Sequence, residues 1–490
     1  MSKYNFNEKQ LAKFKKGGTL IPLYTEIITD LETPISLYKK VAEKIPNSFL
    51  LESAEQDNKM GRYSFIGVKS DLTFSFKNGK GEIKEGRKVT KFKSDNPLNE
   101  IRKLMQQYKL IKVDELPRFQ GGLVGHIGYE TIQYFEKIKL PKKETIKVPE
   151  ILMHLSTTLI AIDHLKHKIF VISQIDLRKD PKKSYKEAKK NIEDIVKKIN
   201  KKSNLKALDL NKKTKDLKMK TNFTEKAYSK LVKEMKKKIT EGEIFQVVLS
   251  QKQTIPFSKD PLTLYRVLRS MNPSPYMYYI NNKDFQIIGA SPETQVRSEN
   301  NKILLSPIAG TRPRGADKKE DAALAKELLK DEKELAEHTM LLDLARNDMG
   351  RVANVKTVKT EKAYRIEKFA HVMHIVSDVV GELDHKKDVF DLFQATFPAG
   401  TVSGAPKIRA MDIISKTEKE QRGIYAGAVG YFDFSGNMDF AIAIRTIVLQ
   451  KKKLHLQAGA GIVYDSKPER EFKECLNKLT TLINTIQLTS

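Results

Sequence analysis

The 490-residue sequence contains one cysteine, Cys475, and no tryptophan. A lone thiol excludes an internal disulfide framework and fits a reducing, cytoplasmic compartment. No Cys/His cluster has zinc-ligand spacing, so zinc is not expected. Apolar runs of the ~18 residues that a membrane helix needs are missing. The polar start MSKYNFNEKQ lacks the apolar stretch of a signal peptide, and no membrane partner is expected. The phosphate loop GxxxxGK[ST] is absent too, as are helix-turn-helix, zinc-finger and RNP patterns. Acidic residues are the scarcer charge, 61 against 89 Lys and Arg, for a net +28. Such a charge reads either as a nucleic-acid or membrane footprint, or as a lysine bias spread over an ordinary enzyme. The lysine blocks at 197–198, 201–202 and 451–453 are scattered and carry no interleaved aromatics. They favour the second reading, with no nucleic-acid partner and a diffuse field that speeds capture of an anionic metabolite.

What is present is a large globular chain, 40% hydrophobic, with 17 Tyr and 22 Phe. Residues 20–28 read as a strand, followed by a helix that Thr33-Pro34 starts. Short strands are predicted at 48–53, 62–68 and 72–76, and a hairpin at 159–163 and 168–173. The Lys-rich stretch 176–221 reads as a helix (185–199) plus surface linker. It separates an N-terminal region, 1–175, from a denser C-terminal region, 222–490. That region begins with helix 224–240 and strand 244–251. It continues through helix 261–270, strands 276–280 and 286–291 and a long helical stretch 317–347. It closes with strands 425–433, 439–449 and 454–460 and helix 467–486. Helices and strands mix without a regular βαβ repeat. The fold class is therefore α+β: large antiparallel sheets packed as a sandwich, with helices outside.

Acidic pairs stand out in so basic a chain. Glu334 and Glu337 lie three apart in KELAEHTMLLDLARND, and Glu471 and Glu474 repeat that spacing in SKPEREFKECLNK, with Lys478 on the same face. Each pair alone reads as a solvated helix face. If the two helices face each other, four carboxylates make a hard-oxygen site suited to Mg²⁺, which takes one or two direct carboxylates and otherwise water or ligand oxygens. Glu337 and Glu474 are the expected direct ligands. Ser466-Lys467-Pro468-Glu469 reads as a capping box that opens the second helix. Two loops look made to hold anions: QAGAGIVYDS with Gly459 and Gly461, and FPAGTVSGAPK with Thr401. LLSPIAGTRPRG, with Gly310 and Thr311, is a third. Arg445, within the apolar FAIAIRT, is expected to meet a carboxylate, since an unpaired buried guanidinium is costly. Tyr425 adds a hydroxyl. Glu293, at a strand end, is an acid or base if burial raises its pKa. His374 reads equally as a core histidine or a site residue.

Taken in order, SPETQVR, SPIAGTRPRG, EHTMLLDLARNDMGRV, FPAGTVSGAPK, GIYAGAVGY and QAGAGIVYDSKPEREFKE resemble the chorismate-utilising enzymes, from about Phe223 to the C-terminus. Among them the anthranilate-forming branch, anthranilate synthase component I, is most similar. The resemblance implies Mg²⁺-dependent chemistry on chorismate. It implies Glu337 and Glu474 as metal ligands with Glu334 and Glu471 in support. Tyr425, Arg445, Gly459, Gly461 and Lys478 would lie on the substrate's carboxylates, and Thr401 on the substrate loop. Glu293 would be the acid for the departing hydroxyl and His374 a participant in the later elimination.

Within that family Ala309 stands where aminodeoxychorismate-forming relatives carry a nucleophilic lysine. Gln246 stands where isochorismate-forming relatives carry a water-activating one. Neither residue supplies a nucleophile, so ammonia is expected from outside. The implied reaction is a lyase one: amination of chorismate followed by pyruvate elimination to anthranilate, the first step of tryptophan biosynthesis. Aminodeoxychorismate formation is the alternative. LLES (50–53) and NPSPYM (272–277) resemble the feedback pocket for L-tryptophan, with Glu52, Ser53, Pro273, Tyr276 and Met277. No glutaminase motif is visible, so a separate glutamine amidotransferase subunit is the implied partner.

Overall fold

The computed structural model describes residues 4–14, 17–28, 31–54, 61–113, 115–203, 205–210, 216–369 and 372–489. Among the described residues the strands pair antiparallel, and one isolated parallel bridge joins Leu20 to Leu110. The ladder forks at strand Ile151–Asp163, which pairs with Lys168–Asp176, Tyr63–Lys77 and Gly122–Ile127. One arm runs from Tyr63–Lys77 through Ser48–Glu52, Tyr276–Asn281, Phe285–Ser291, Thr446–Gln450 and Lys453–Ile462 to Gln246–Pro256. The other runs from Gly122–Ile127 through Ala428–Asp433, Met438–Ile442, Thr294–Glu299 and Lys302–Leu305 to Val372–Glu382. N-terminal strands thus pair directly with C-terminal ones in both arms.

The arms pack face to face. Phe49, Phe65, Phe119, Tyr278, Ile287, Val429 and Tyr431 form the core between them. The outer faces are covered by helices: Met277, Tyr279 and Ile288 meet Leu264, Leu268, Leu479 and Leu482 on one side. Phe432 and Phe440 meet Phe390, Phe393 and Leu342 on the other. Burial on both faces explains why YMYYI and FQIIGAS are apolar without alternation: Ile287 points into the sandwich and Ile288 toward the helices. The α+β sandwich with external helices is the architecture observed. No helix among the described residues is long and apolar enough to cross a membrane.

Several elements differ from expectation. Strands 62–68 and 72–76 are one strand, because the polar Lys69-Ser70-Asp71 is absorbed as register slips against 155–158. The stretch 317–347 is two helices, Lys318–Leu328 and Glu332–Gly350; Asp331 interrupts it and caps the second through Lys333 N and Glu334 N. The strand at 439–449 breaks between Ile442 and Thr446, where Arg445 takes φ 48. Strand 425–433 starts at Ala428, which leaves Tyr425 in a turn. Hairpin Lys80–Glu85/Lys88–Lys93 and strands Lys359–Lys368 and Val372–Glu382 were not anticipated, being charged or irregular in pattern. In the linker, helix Pro181–Ile199 is present, and 204 and 211–215 lie outside the described residues.

Candidate active site

Helix Glu332–Gly350 presents Glu334 and Glu337, and helix Pro468–Thr489 presents Glu471, Glu474 and Lys478. The helices face a common space. Burial raises the Glu337 carboxyl above its ordinary value, with repulsion from Glu334 and Glu474 adding to it. Glu471 is raised by burial and again by Glu474. Like charges placed together without enough cations are what a divalent ion would relieve. Their oxygens do not close a cage: among the described residues no group of three or more His, Cys, Asp or Glu is placed to hold a metal. An all-protein cage is not what these residues form; a divalent ion here would take most of its shell from water and ligand. Glu334 is also tied to Arg312 at 3.4 Å, and Arg312 bonds Asp331 at 2.7 Å. Glu474 pairs with Lys478 at 2.7 Å.

Gly459 and Gly461 lie within strand Lys453–Ile462, not in a loop after it. The expected capping box at Ser466 is also absent: its hydroxyl accepts from Val463 N at 3.0 Å and donates to the Glu471 carboxylate. The Gly459 carbonyl accepts from Lys478 Nζ at 3.0 Å, so this strand edge faces the site. The N–H groups of Gly459 and Gly461 share that edge, because residues two apart in a strand point the same way. Side chains there would displace their neighbours. A Cβ on Gly459 would lie 2.9 Å from the Tyr425 hydroxyl, and one on Gly461 2.6 Å from Gln246 Nε2. That amide donates to Glu337 Oε1 at 3.0 Å, a contact the sequence did not disclose.

Glu293 is 4% exposed, and Thr401 Oγ1 donates to its Oε1 at 2.6 Å. Burial pushes Glu293 up to about 8, although Thr401, the Ile308 N–H and Lys478 all favour its charged form. His374 Nδ1 lies 3.0 Å from both the Gly310 carbonyl and Thr311 Oγ1. The carbonyl requires Nδ1 to carry the proton, which leaves Nε2 as the acceptor. Burial brings His374 down to about 4, helped by the positive Arg445 and Lys478 nearby, so the ring is neutral at pH 7. Gly310 takes φ 71, and a Cβ there would lie 3.3 Å from Glu334.

Arg445 corrects an expectation. Its guanidinium is desolvated, which lowers its pKa, yet among the described residues it makes no ion pair. It donates to the Lys478 carbonyl, while Tyr425 and Glu474 stabilise its charge from a distance.

The second cluster is separate. Leu51, Ser53, Tyr63, Arg118, Pro275, Tyr276, Tyr431 and Asp439 are among the residues lining a cavity between the sheet arms. Ser53 Oγ is buried with no hydrogen-bond partner among the described residues. Tyr276 OH donates to Asp439 at 2.8 Å. Glu52 and Met277, paired across the strands, also border the cavity. The Glu52 carboxylate is already engaged, by Tyr265 OH at 2.6 Å and Arg269 at 3.1 Å. Pro273 is exposed and does not line the cavity; Pro275 does. The sequence reading also passed over Arg422 and Glu418, a buried ion pair at 2.7 Å. Its only signal was charge beside the apolar GIYAGAVG.

Comparison with known proteins identifies the family. The family model described as chorismate binding enzyme matches residues 46–484. Anthranilate synthase component 1 of Aquifex aeolicus is 46% identical over 485 residues, covering 99% of this chain and 98% of the relative. The same-named protein of Acetivibrio thermocellus is 43% identical over 476 residues, 96% of each chain. The crystal structure of anthranilate synthase component I from Streptococcus pneumoniae TIGR4 superposes with a TM-score of 0.78. It is 35% identical over 93% of this chain and 98% of that one. Two carboxylate-bearing helices, a glycine edge and a buried guanidinium without an ion pair among the described residues thus sit in a chain that belongs to the chorismate binding enzyme family, in its anthranilate synthase component 1 branch.

Proposed function

We propose that the chain aminates chorismate with ammonia and then eliminates pyruvate to give anthranilate, as the large subunit of a two-component lyase at the head of tryptophan biosynthesis. The observation that carries this reading is the desolvated, ion-pair-free Arg445 beside a buried Glu293 and two glutamate pairs. It is a carboxylate receptor next to a proton donor and a cation-seeking cluster. Arg445 and Tyr425 hold the enolpyruvyl carboxylate. The Gly459 and Gly461 N–H groups and Lys478 hold the ring carboxylate. Glu293, protonated because it is buried, delivers its proton to the departing ring hydroxyl, and Thr401 fixes the carboxyl's orientation. Ammonia attacks the ring carbon beside the carboxylate as water leaves. Neutral His374, with Nε2 free, takes the ring proton when pyruvate is eliminated. Mg²⁺ is the metal the donor set suits. Glu337 and Glu474 would hold it with Glu334 and Glu471 behind them, and it would draw electron density from the ring carboxylate. Ala309, 8% exposed and paired with Ile375, offers no amine for a covalent route. The chain supplies no glutaminase residues, so a glutamine amidotransferase subunit is the proposed ammonia source, in the cytoplasm. Chorismate, Mg²⁺ and ammonium given to the purified chain test the reading. A fluorescent product without the enolpyruvyl group is expected; a product that keeps it would favour aminodeoxychorismate formation.

Because Glu293 acts as an acid, turnover is expected to require its protonated form. With free ammonia held constant, kcat should fall as pH rises through about 8, and Glu293→Gln should flatten that limb at a much lower rate. A kcat that stays constant to pH 10 would remove Glu293 from the role.

The cavity beside Ser53 is proposed as the L-tryptophan feedback site. Its partnerless hydroxyl and aromatic walls suit an amino acid with a flat apolar side chain. Ser53→Phe, which fills the cavity, should raise the tryptophan concentration for half-inhibition by more than about tenfold and leave kcat unchanged. Tenfold corresponds to about 1.4 kcal/mol of lost binding. Unchanged inhibition would place the effector elsewhere.

A further inference from the structure

We propose that the buried Glu418–Arg422 pair is a positioning element: it holds the turn that carries Thr401 and, through Thr401, the orientation of Glu293. The proposal rests on the reading of Glu293 and Thr401 given above. Arg422 is 2% exposed and Glu418 5%. The guanidinium is a fixed fork, and its arms end on different parts of the chain. Nε and Nη2 bond the Glu418 carboxylate at 2.8 and 2.7 Å. Nη2 also reaches the Val248 carbonyl at 2.8 Å, on the strand that begins at Gln246. Nη1 reaches the Val402 carbonyl at 2.7 Å, one residue after Thr401. Glu418 in turn accepts from Ser250 N at 2.8 Å and Ser250 Oγ at 2.9 Å. The arginine's own backbone N–H is held by Glu130 at 2.7 Å, and that of Gly423 at 2.9 Å. The guanidinium also lies 4.7 Å above the Tyr129 ring.

An apolar side chain of equal volume would pack here, and buried ion pairs are often replaceable on grounds of stability alone. What it would not do is satisfy two carbonyls from two segments at once. Without the fork, the Val402 and Val248 carbonyls lose their donor, and the turn Gly400–Val402 is left with the backbone ties that follow it, Val248 N to the Ser403 carbonyl at 2.9 Å and the pairing of Gly404–Ala405 with Gln246–Val247. Thr401 sits in the middle of that turn, and its hydroxyl makes the 2.6 Å bond to Glu293. Gly459 and Gly461 pair with Ser250 and Val248, and the Arg422 guanidinium lies 5.6 Å from the Tyr425 ring; a lysine keeps the strand ladder and the cation at those places, so its loss falls on the Val402 carbonyl and the proton donor.

Arg422→Lys tests this. It keeps the charge, the pairing with Glu418 and a cation beside the tyrosines, but one ammonium cannot serve both carbonyls. Wild-type turnover of chorismate with ammonium is established first. Its absence would sink the functional reading itself, which is a different failure from the one below. Arg422→Lys and Thr401→Val are then each expected to lower kcat about tenfold to a hundredfold, with the chorismate KM within about threefold of wild type. The combined variant should lose no more than the worse single one, because both act on one bond. Losses that multiply, or a loss confined to KM, would overturn the proposal. If Arg422→Lys does not fold by near-UV circular dichroism, Glu418→Gln/Arg422→Gln, which leaves no lone buried charge, takes its place in the same cycle.

Discussion

Glu337→Gln is expected to lower anthranilate formation on the order of 10³-fold or more while leaving the metal-free protein as stable as wild type, or more so. The activity loss follows from placing a neutral amide where a cation must be held against the substrate. Removing one preorganised electrostatic partner costs about 10²–10³ in rate, and a metal ligand more. The stability gain follows from the sign of the Glu337 shift. Its native carboxyl is raised by burial and by Glu334 and Glu474. A raised acid binds its proton more readily in the folded than in the unfolded chain. Stability from this group therefore falls as pH rises from the unfolded value through the folded one, and above that window the ionised form is a burden. Glutamine removes the charge and keeps an oxygen to accept from Gln246, 3.0 Å away in the wild type. Thermal melts in EDTA at pH 5 and pH 8 separate the two effects: the gain over wild type should be larger at pH 8. A variant that is active, or one destabilised more at pH 8, would mean that the carboxylate is structural.

Arg445→Gly should act in the same divided way, on binding. The residue occupies φ 48, a left-handed conformation costing a non-glycine residue about 1–2 kcal/mol, so glycine relieves backbone strain. It also removes a desolvated guanidinium that makes no ion pair among the described residues. The fold should gain from the relaxed backbone. The chorismate KM should rise by about a hundredfold, about 2.7 kcal/mol, as expected for loss of a charge-assisted pair. Arg445→Lys should recover little, since an ammonium does not reproduce a bidentate grip. A KM that does not move would mean that the substrate carboxylate lies elsewhere.

Much of this site was legible in the chain. Glu334/Glu337 and Glu471/Glu474 announce themselves by spacing, because a three-residue repeat on a helix needs no tertiary information. Arg445 was conspicuous as a charge within FAIAIRT, but its lack of a partner was not, since a partner's absence is a property of the whole fold. Gly459 falls inside the expected strand 454–460, but with Gly461 it was also read as part of an anion-holding loop, because glycine lets backbone N–H groups approach an anion. Their strand is stabilised instead by pairing with Gln246–Pro256, a contact more than 200 residues away that no local propensity reveals. The same holds for Arg422, whose carbonyl partners belong to remote segments. Strand 62–77 was divided because Lys69-Ser70-Asp71 resembles a turn, and only the partner strand shows that these residues are bulged in place. The α+β class was readable from helices and strands that mix without a βαβ repeat.

The central claim is that glutamates from two helices hold one divalent ion against chorismate. Chorismate binding, followed by calorimetry without ammonia, tests it most directly when titrated with and without Mg²⁺ in wild type and Glu474→Ala. The account predicts that each ligand tightens the other in the wild type, by the same factor in either order of addition, and that Glu474→Ala abolishes this coupling in a folded protein. Equal chorismate affinity with and without Mg²⁺ in the wild type, or coupling undiminished in Glu474→Ala, would contradict it.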